Sequence, residues 1–90
     1  MIHTLKIWPT PFRAILNGDK KYEVRKADRD FNVGDVVILK EWLPKDELPF
    51  TGIDLAYTGR EITVEITYVT EAGTWGLPID IVVFGFRVFE

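Results

Sequence analysis

Glu61-Ile62-Thr63-Val64-Glu65-Ile66-Thr67-Tyr68 decides the fold, because polar and apolar residues alternate along it at every step. Successive side chains of a strand point to opposite faces, so Ile62, Val64, Ile66 and Tyr68 are expected to face a core. Glu61, Thr63, Glu65 and Thr67 then face water. Thr58-Gly59 reads as the turn that opens this strand. Downstream, residues 71–79 contain Gly73, Gly76 and Pro78 and read as a loop. Ile81 to Phe89 reads as the last strand, with Gly85 marking a bend or bulge. Upstream, Gly34-Asp35 turns the chain into Val36-Val37-Ile38-Leu39, an unbroken apolar run that predicts burial on both faces. One core is therefore expected to unite Ile38, Val64, Ile66 and Val83. Residues 43–57 hold Pro44, Pro49 and Gly52 without periodicity and read as a long functional or mobile loop.

Toward the N-terminus, residues 3–7 read as a first strand. Thr10 followed by Pro11 reads as a helix start, a side-chain oxygen before a ring preset to helical φ. Phe12, Ile15 and Leu16 fall at helical spacing, and Gly18 supplies a left-handed stop. Residues 20–25 read as a second strand with Tyr22 and Val24 on one face and Lys21, Glu23 and Arg25 on the other. The result is a mainly β, α+β domain over residues 1–90, with about five strands and one short N-terminal helix. Its β-branched and aromatic content suggests a small closed or nearly closed barrel.

Composition excludes several chemistries. Serine, cysteine and glutamine are absent, which removes a serine or cysteine nucleophile and any cysteine metal site. The one histidine, His3, is expected to be an ordinary strand residue, and no metal or cofactor is expected. Asp28, Asp30 and Asn32 open like a calcium loop, but Val33 and Leu39 occupy the positions that need glycine and the bidentate acid. MIHTLKIW lacks the pattern of a signal peptide, and no apolar run is long enough to span a membrane, so a cytoplasmic protein is expected.

The formal net charge is −3, which argues against a general polyanion binder. Basic residues are nevertheless concentrated. Arg13, Lys20, Lys21, Arg25, Lys26 and Arg29 are six of the eleven, and only Asp19, Glu23 and Asp28 oppose them in that span. Such an excess limits any nucleic-acid contact to about two or three phosphates.

At the centre of that span lies Gly18-Asp19-Lys20-Lys21-Tyr22-Glu23-Val24-Arg25. Lys20 and Glu23 are three apart, so they share a face only if Lys20 lies in the turn before the strand. Glu23 and Arg25 share one without help. Arginine offers a rigid fork for phosphate or carboxylate and lysine a compact charge, while a carboxylate can accept from an amino-bearing base. The alternative is an ordinary amphipathic strand with an exposed ion pair, worth about 0–1 kcal/mol.

The pattern Gly18-x-Lys20-x-x-Glu23-x-Arg25 after a short helix resembles the signature of ASCH domains, which belong to the PUA-like superfamily of small barrels. Leu5-Lys6-Ile7, Phe31-x-Val33-Gly34-Asp35, Tyr57-Thr58-Gly59-Arg60 and Val64-x-Ile66-Thr67-Tyr68 are similar to a small bacterial and phage branch of unestablished function. The resemblance implies a cleft between helix and barrel, and a role linked to RNA or modified bases. It makes Lys20, Glu23 and Arg25 the candidate ligand contacts, and Lys21, beside them in the same basic segment, is added as a fourth. Trp8, Tyr57 and Trp75 are candidates for base stacking, and Trp75, next to Gly73 and Gly76 in a loop, is the one expected to be exposed. The first reading is thus a module binding RNA or a nucleobase-containing small molecule. One alternative is a hydrolase acting on a nucleoside or RNA, an amidohydrolase or ribonuclease, with Lys20 and Glu23 as its catalytic groups. ASCH amidohydrolases use a lysine, a threonine and a glutamate, and here Glu23 stands where the threonine is expected. The other alternative is a protein-interaction or structural domain.

Overall fold

The chain alternates short extended runs with one helix: β1 (Ile2–Ile7), α1 (Pro9–Leu16), β2 (Tyr22–Lys26), β3 (Val36–Trp42), β4 (Tyr57–Thr70) and β5 (Ile81–Val88). These come from a computed structural model that describes residues 1–43 and 57–89. Most of the 43–57 loop, including Pro44, Pro49 and Gly52, lies outside the described residues. The strands form one sheet in the order β1-β3-β4-β5-β2. β3, β4 and β5 are an antiparallel meander, β2 adds antiparallel to β5, and β1 adds parallel to β3. The sheet curls into a half-barrel and does not close, because β1 and β2 share no backbone ladder. Arg25 crosses that seam, donating from Nη2 on β2 to the Lys6 carbonyl on β1 at 2.7 Å. No helix among the described residues is long and apolar enough to cross a membrane.

The core lies inside the curl. Ile62, Val64 and Ile66 enter it as their alternation requires, joined by Val37, Leu39, Val82, Phe84 and Phe86, with Phe12 and Ile15 from α1. Ile38 and Val83 do not belong to this face. Pairing sets Val37 opposite Val64 and Val82 on the buried parity of β5, so Ile38 and Val83 fall half-buried on the convex side. Ile38 is flanked there by Thr4 and Thr63. The apolar run of β3 is therefore covered on one face and only partly on the other.

Two irregularities of β4 correct the strand reading. Ile66 pairs with Phe86, but Tyr68 already pairs with Gly85, so one extra residue sits in β4 opposite the glycine. The bulge reverses parity. Tyr68 is turned out, 68% exposed, and Val69 packs against the core instead. The second irregularity lies at Thr58-Gly59, which is not a turn before the strand but part of it. Register shifts between Lys40 and Trp42, and Gly59 takes the left-handed φ of 92° that glycine adopts without strain.

Helix α1 begins two residues before the Thr10-Pro11 reading. Pro9 takes the first helical position, Trp8 is the extended residue before it, and no side chain caps the end. Thr10 is thus within the first turn.

Two buried carboxylates brace this frame. Asp35 accepts from Asn32 N–H at 3.1 Å, lies 2.8 Å from His3 Nε2, and is 3.2 Å from the Met1 amino group. His3 is thus a buried strand residue whose ring also packs on Phe31. Glu41 accepts from Thr58 Oγ1 at 2.7 Å and from Arg60 Nε and Nη2 at 3.0 and 3.1 Å. The Arg60 guanidinium lies over the Phe12 ring at 4.9 Å, linking helix to sheet. The hydrogen bond to His3 holds the Asp35 carboxyl below its ordinary range, and the Arg60 bonds do the same for Glu41, in each case against the opposing effect of burial.

Strand parity predicts unequal costs of truncation. Ile66→Ala should lower unfolding free energy by about 2–5 kcal/mol, as for a buried isoleucine, and Ile38→Ala by clearly less. Urea unfolding of both variants measures this, and equal losses would contradict the assignment of Ile38 to the convex face. The braces predict an acid limb. Both carboxyls have folded-state pKa values below their unfolded ones, so their stabilisation is complete above the unfolded values and is lost as pH falls through the folded ones. Their joint contribution should be complete above about pH 5 and decline below it. Asp35→Asn and Glu41→Gln should each flatten that decline in a pH series of denaturant midpoints.

Candidate functional site

The end of α1 sets the position of Lys20. Gly18, at φ 80°, bonds back to the Ile15 carbonyl at 3.0 Å, and Asp19 bonds to Ala14 at 2.9 Å, the paired bonds of a Schellman stop. Lys20 N–H also reaches the Ala14 carbonyl, at 3.1 Å. Lys20 therefore lies in the turn before β2, as its spacing from Glu23 requires. Its ammonium donates to Glu23 Oε1 and to the Tyr22 carbonyl, both at 2.5 Å. Arg25 Nε donates to Glu23 Oε2 at 2.8 Å, so each carboxylate oxygen has its own cation.

This cluster is not an exposed ion pair. β2 pairs with β5 so that Glu23 lies beside Phe84 and Arg25 beside Val82, on the buried parity of the sheet. The charged side of β2 consequently turns inward. Glu23 is 4% exposed, while Tyr22 and Val24 face outward and are about half exposed. Because β2 is an edge strand, its inner face meets the seam with β1.

Above the cluster is an open cleft of about 390 Å³, lined by Trp8 and Pro11 at the start of α1, by Lys6, and by Lys20, Tyr22, Glu23 and Arg25. Trp8 is 58% exposed on its rim. The Lys20 ammonium is also 4.8 Å from the Tyr22 ring centroid. The arrangement offers flat apolar surface beside hydrogen-bond donors on a cationic floor. A second hollow, about 400 Å³, shares Lys6 and Arg25 with the first and adds Lys26, Asp28, Arg29 and Tyr57.

The structure thus brings together Lys20, Glu23, Arg25 and Trp8. It sets three other residues apart. Lys21 does not line the cleft but a different hollow with Phe86 and Arg87, which Lys20 also borders, although the strand pattern grouped it with Glu23. Its carbonyl accepts from Phe86 N–H. Tyr57 stands in the second hollow near the Lys6 and Lys40 ammonium groups. Trp75 is 91% exposed, as expected of its glycine-flanked loop, but lines neither hollow. Sequence reasoning missed Lys6, which becomes visible only once β1 is set against β2. Lys26 and Arg29 were visible as part of the basic concentration, without an assigned role. Among the described residues no group of three or more metal-ligating side chains occurs.

The burial of Glu23 predicts a cost well above that of an exposed pair. Arg25→Ala leaves a desolvated carboxylate with one cation and removes the bond across the seam. It should lower unfolding free energy by about 2–5 kcal/mol, measured by urea unfolding. A loss under about 1 kcal/mol would mean that water reaches Glu23 freely.

A family model described as a domain of unknown function, DUF3850, matches residues 2–86. An uncharacterized 12.9 kDa protein from the GpA 3′ region of Escherichia phage P2 is 35% identical over 74 residues. That alignment covers 82% of this chain and 59% of the phage protein, so the chain spans under two thirds of that relative's length.

Proposed function

The chain belongs to the DUF3850 family, and from the geometry of its cleft we propose that it binds RNA or a nucleobase-containing small molecule between α1 and the β1–β2 seam. One observation carries the reading: the exposed Trp8 ring stands at the rim of a cleft floored by Lys20, the buried Glu23 and Arg25. An aromatic ring beside fixed donors suits a planar base carrying its own acceptors, and base stacking on such a ring contributes about 1–3 kcal/mol. The resemblance to ASCH domains and their PUA-like relatives is part of this proposal, since Lys20, Glu23 and Arg25 occupy the positions of that signature.

A second reading, that the motif is a structural tie, is favoured by the Arg25 bond to the Lys6 carbonyl. The two readings separate at Trp8, which the tie does not use. The hydrolase alternative would use Lys20 and Glu23, whose ammonium and carboxylate are hydrogen-bonded to one another.

Titration calorimetry with ribonucleosides, their 5′-monophosphates and a five-nucleotide single-stranded RNA provides the test. At least one should bind, and Trp8→Ala should weaken it about five- to a hundredfold while leaving the unfolding curve nearly unchanged. Absence of binding, or binding indifferent to Trp8, would leave the structural tie as the better account.

A further inference from the structure

The second hollow is more cationic than the first. Lys6, Arg25, Lys26 and Arg29 line it against a single carboxylate, Asp28. That carboxylate lies 3.6 Å from Arg29 Nε, beyond a hydrogen bond, so the two are only loosely paired. Among the described residues, the Lys6 and Lys26 ammonium groups have no carboxylate within 4.0 Å. Lys6 instead lies over the Trp42 and Tyr57 rings, at 5.3 and 6.0 Å from their centroids. Arg25 uses Nε on Glu23 and Nη2 on the Lys6 carbonyl, and no described acceptor takes the Nη1 hydrogens. In a chain of net charge −3, four cations around one hollow are mutually repulsive and are relieved by an anion.

Position supplies the second part of the argument. Lys6 and Arg25 line both hollows, so the two lie side by side along the seam. A ligand whose base rests against Trp8 would extend past Arg25 toward Lys26 and Arg29. We infer that the second hollow is a phosphate subsite, and that the ligand of the cleft is a phosphorylated nucleotide or an RNA backbone rather than a free nucleoside. This inference rests on the nucleobase reading of the first cleft. Oxygens of a phosphate suit an arginine fork with flanking lysines, whereas a nucleoside would leave the Lys6 and Lys26 ammonium groups without an anion among the described residues.

The experiment compares, in the intact chain, binding of inorganic phosphate, the ribonucleosides, their 5′-monophosphates and the five-nucleotide RNA. Lys26→Ala/Arg29→Ala is measured beside the parent, with unfolding curves to show that both are folded. Monophosphates or the RNA should bind at least about tenfold more tightly than nucleosides. The double substitution should erase that gain and leave nucleoside affinity unchanged. Gain already complete with monophosphates indicates a terminal phosphate, and gain confined to the RNA indicates its backbone. Nucleosides that bind without any gain from phosphate, or a gain indifferent to the double substitution, overturn the subsite while the nucleobase reading stands. Phosphate binding that needs Lys26 and Arg29, with no contribution from a base, supports the subsite and removes the nucleobase reading. If no probe binds, both fall.

Discussion

A carboxylate held out of water must be answered on both oxygens, and at Glu23 that requirement organises the N-terminal half of the molecule. Desolvating the group would be prohibitive without close cations, since its charge loses hydration that only charge-assisted hydrogen bonds replace. Lys20 can serve Oε1 only because α1 stops at Gly18 and returns the chain at once. Arg25 can serve Oε2 only because it lies two residues along the same strand. Its guanidinium then extends to the Lys6 carbonyl, which brings β1 and β2 to opposite sides of one seam. The helix stop, the inward turn of a charged strand face and the narrowness of the seam are linked through one side chain.

Much of the fold was legible because alternation carries phase. Glu61 to Thr67 states which residues face inward, and the structure keeps that phase through Ile66. The runs Val36–Leu39 and Ile81–Phe84 are apolar at each step and carry none. Their phase is set by pairing with β4, which is why Ile38 and Val83 were placed on the wrong face. Tyr68 failed for a different reason, since a bulge adds a residue without changing the pattern of letters. The helix start was misplaced because Pro9 and Pro11 both suit a first turn, and Thr10 made the later one look capped. At the site, spacing showed only that Lys20 would have to precede the strand if it shared a site with Glu23, and the strand reading of residues 20–25 had placed it inside. The strand starts at Tyr22 because the chain is still closing the helix at Lys20. The burial of Glu23 was not legible, because it depends on which strand lies across the seam, a fact no local pattern contains.

Binding and scaffolding are not exclusive uses of such a cluster. Groups already held in place by a buried partner lose little freedom when a ligand arrives, so a rigid tie is also a preorganised floor. The distribution of charge follows the same logic. Under the proposed role, an acidic chain that concentrates its cations along one seam would favour small anions without the general affinity for polyanions that a basic face would bring.

Because the seam joins the two edges of the sheet, it is made by the pairings that span the most chain. β1 waits for β3, and β2 waits for β5, whereas the β3-β4-β5 meander closes shorter spans. Loop-closure entropy must be met before distant contacts give anything back. The cleft therefore belongs to the most non-local part of the topology, completed only when both chain-distant edges have docked. During synthesis the residues of β1, α1 and β2 that line it emerge before β5, yet they have no site to form until β5 has followed them out of the ribosome.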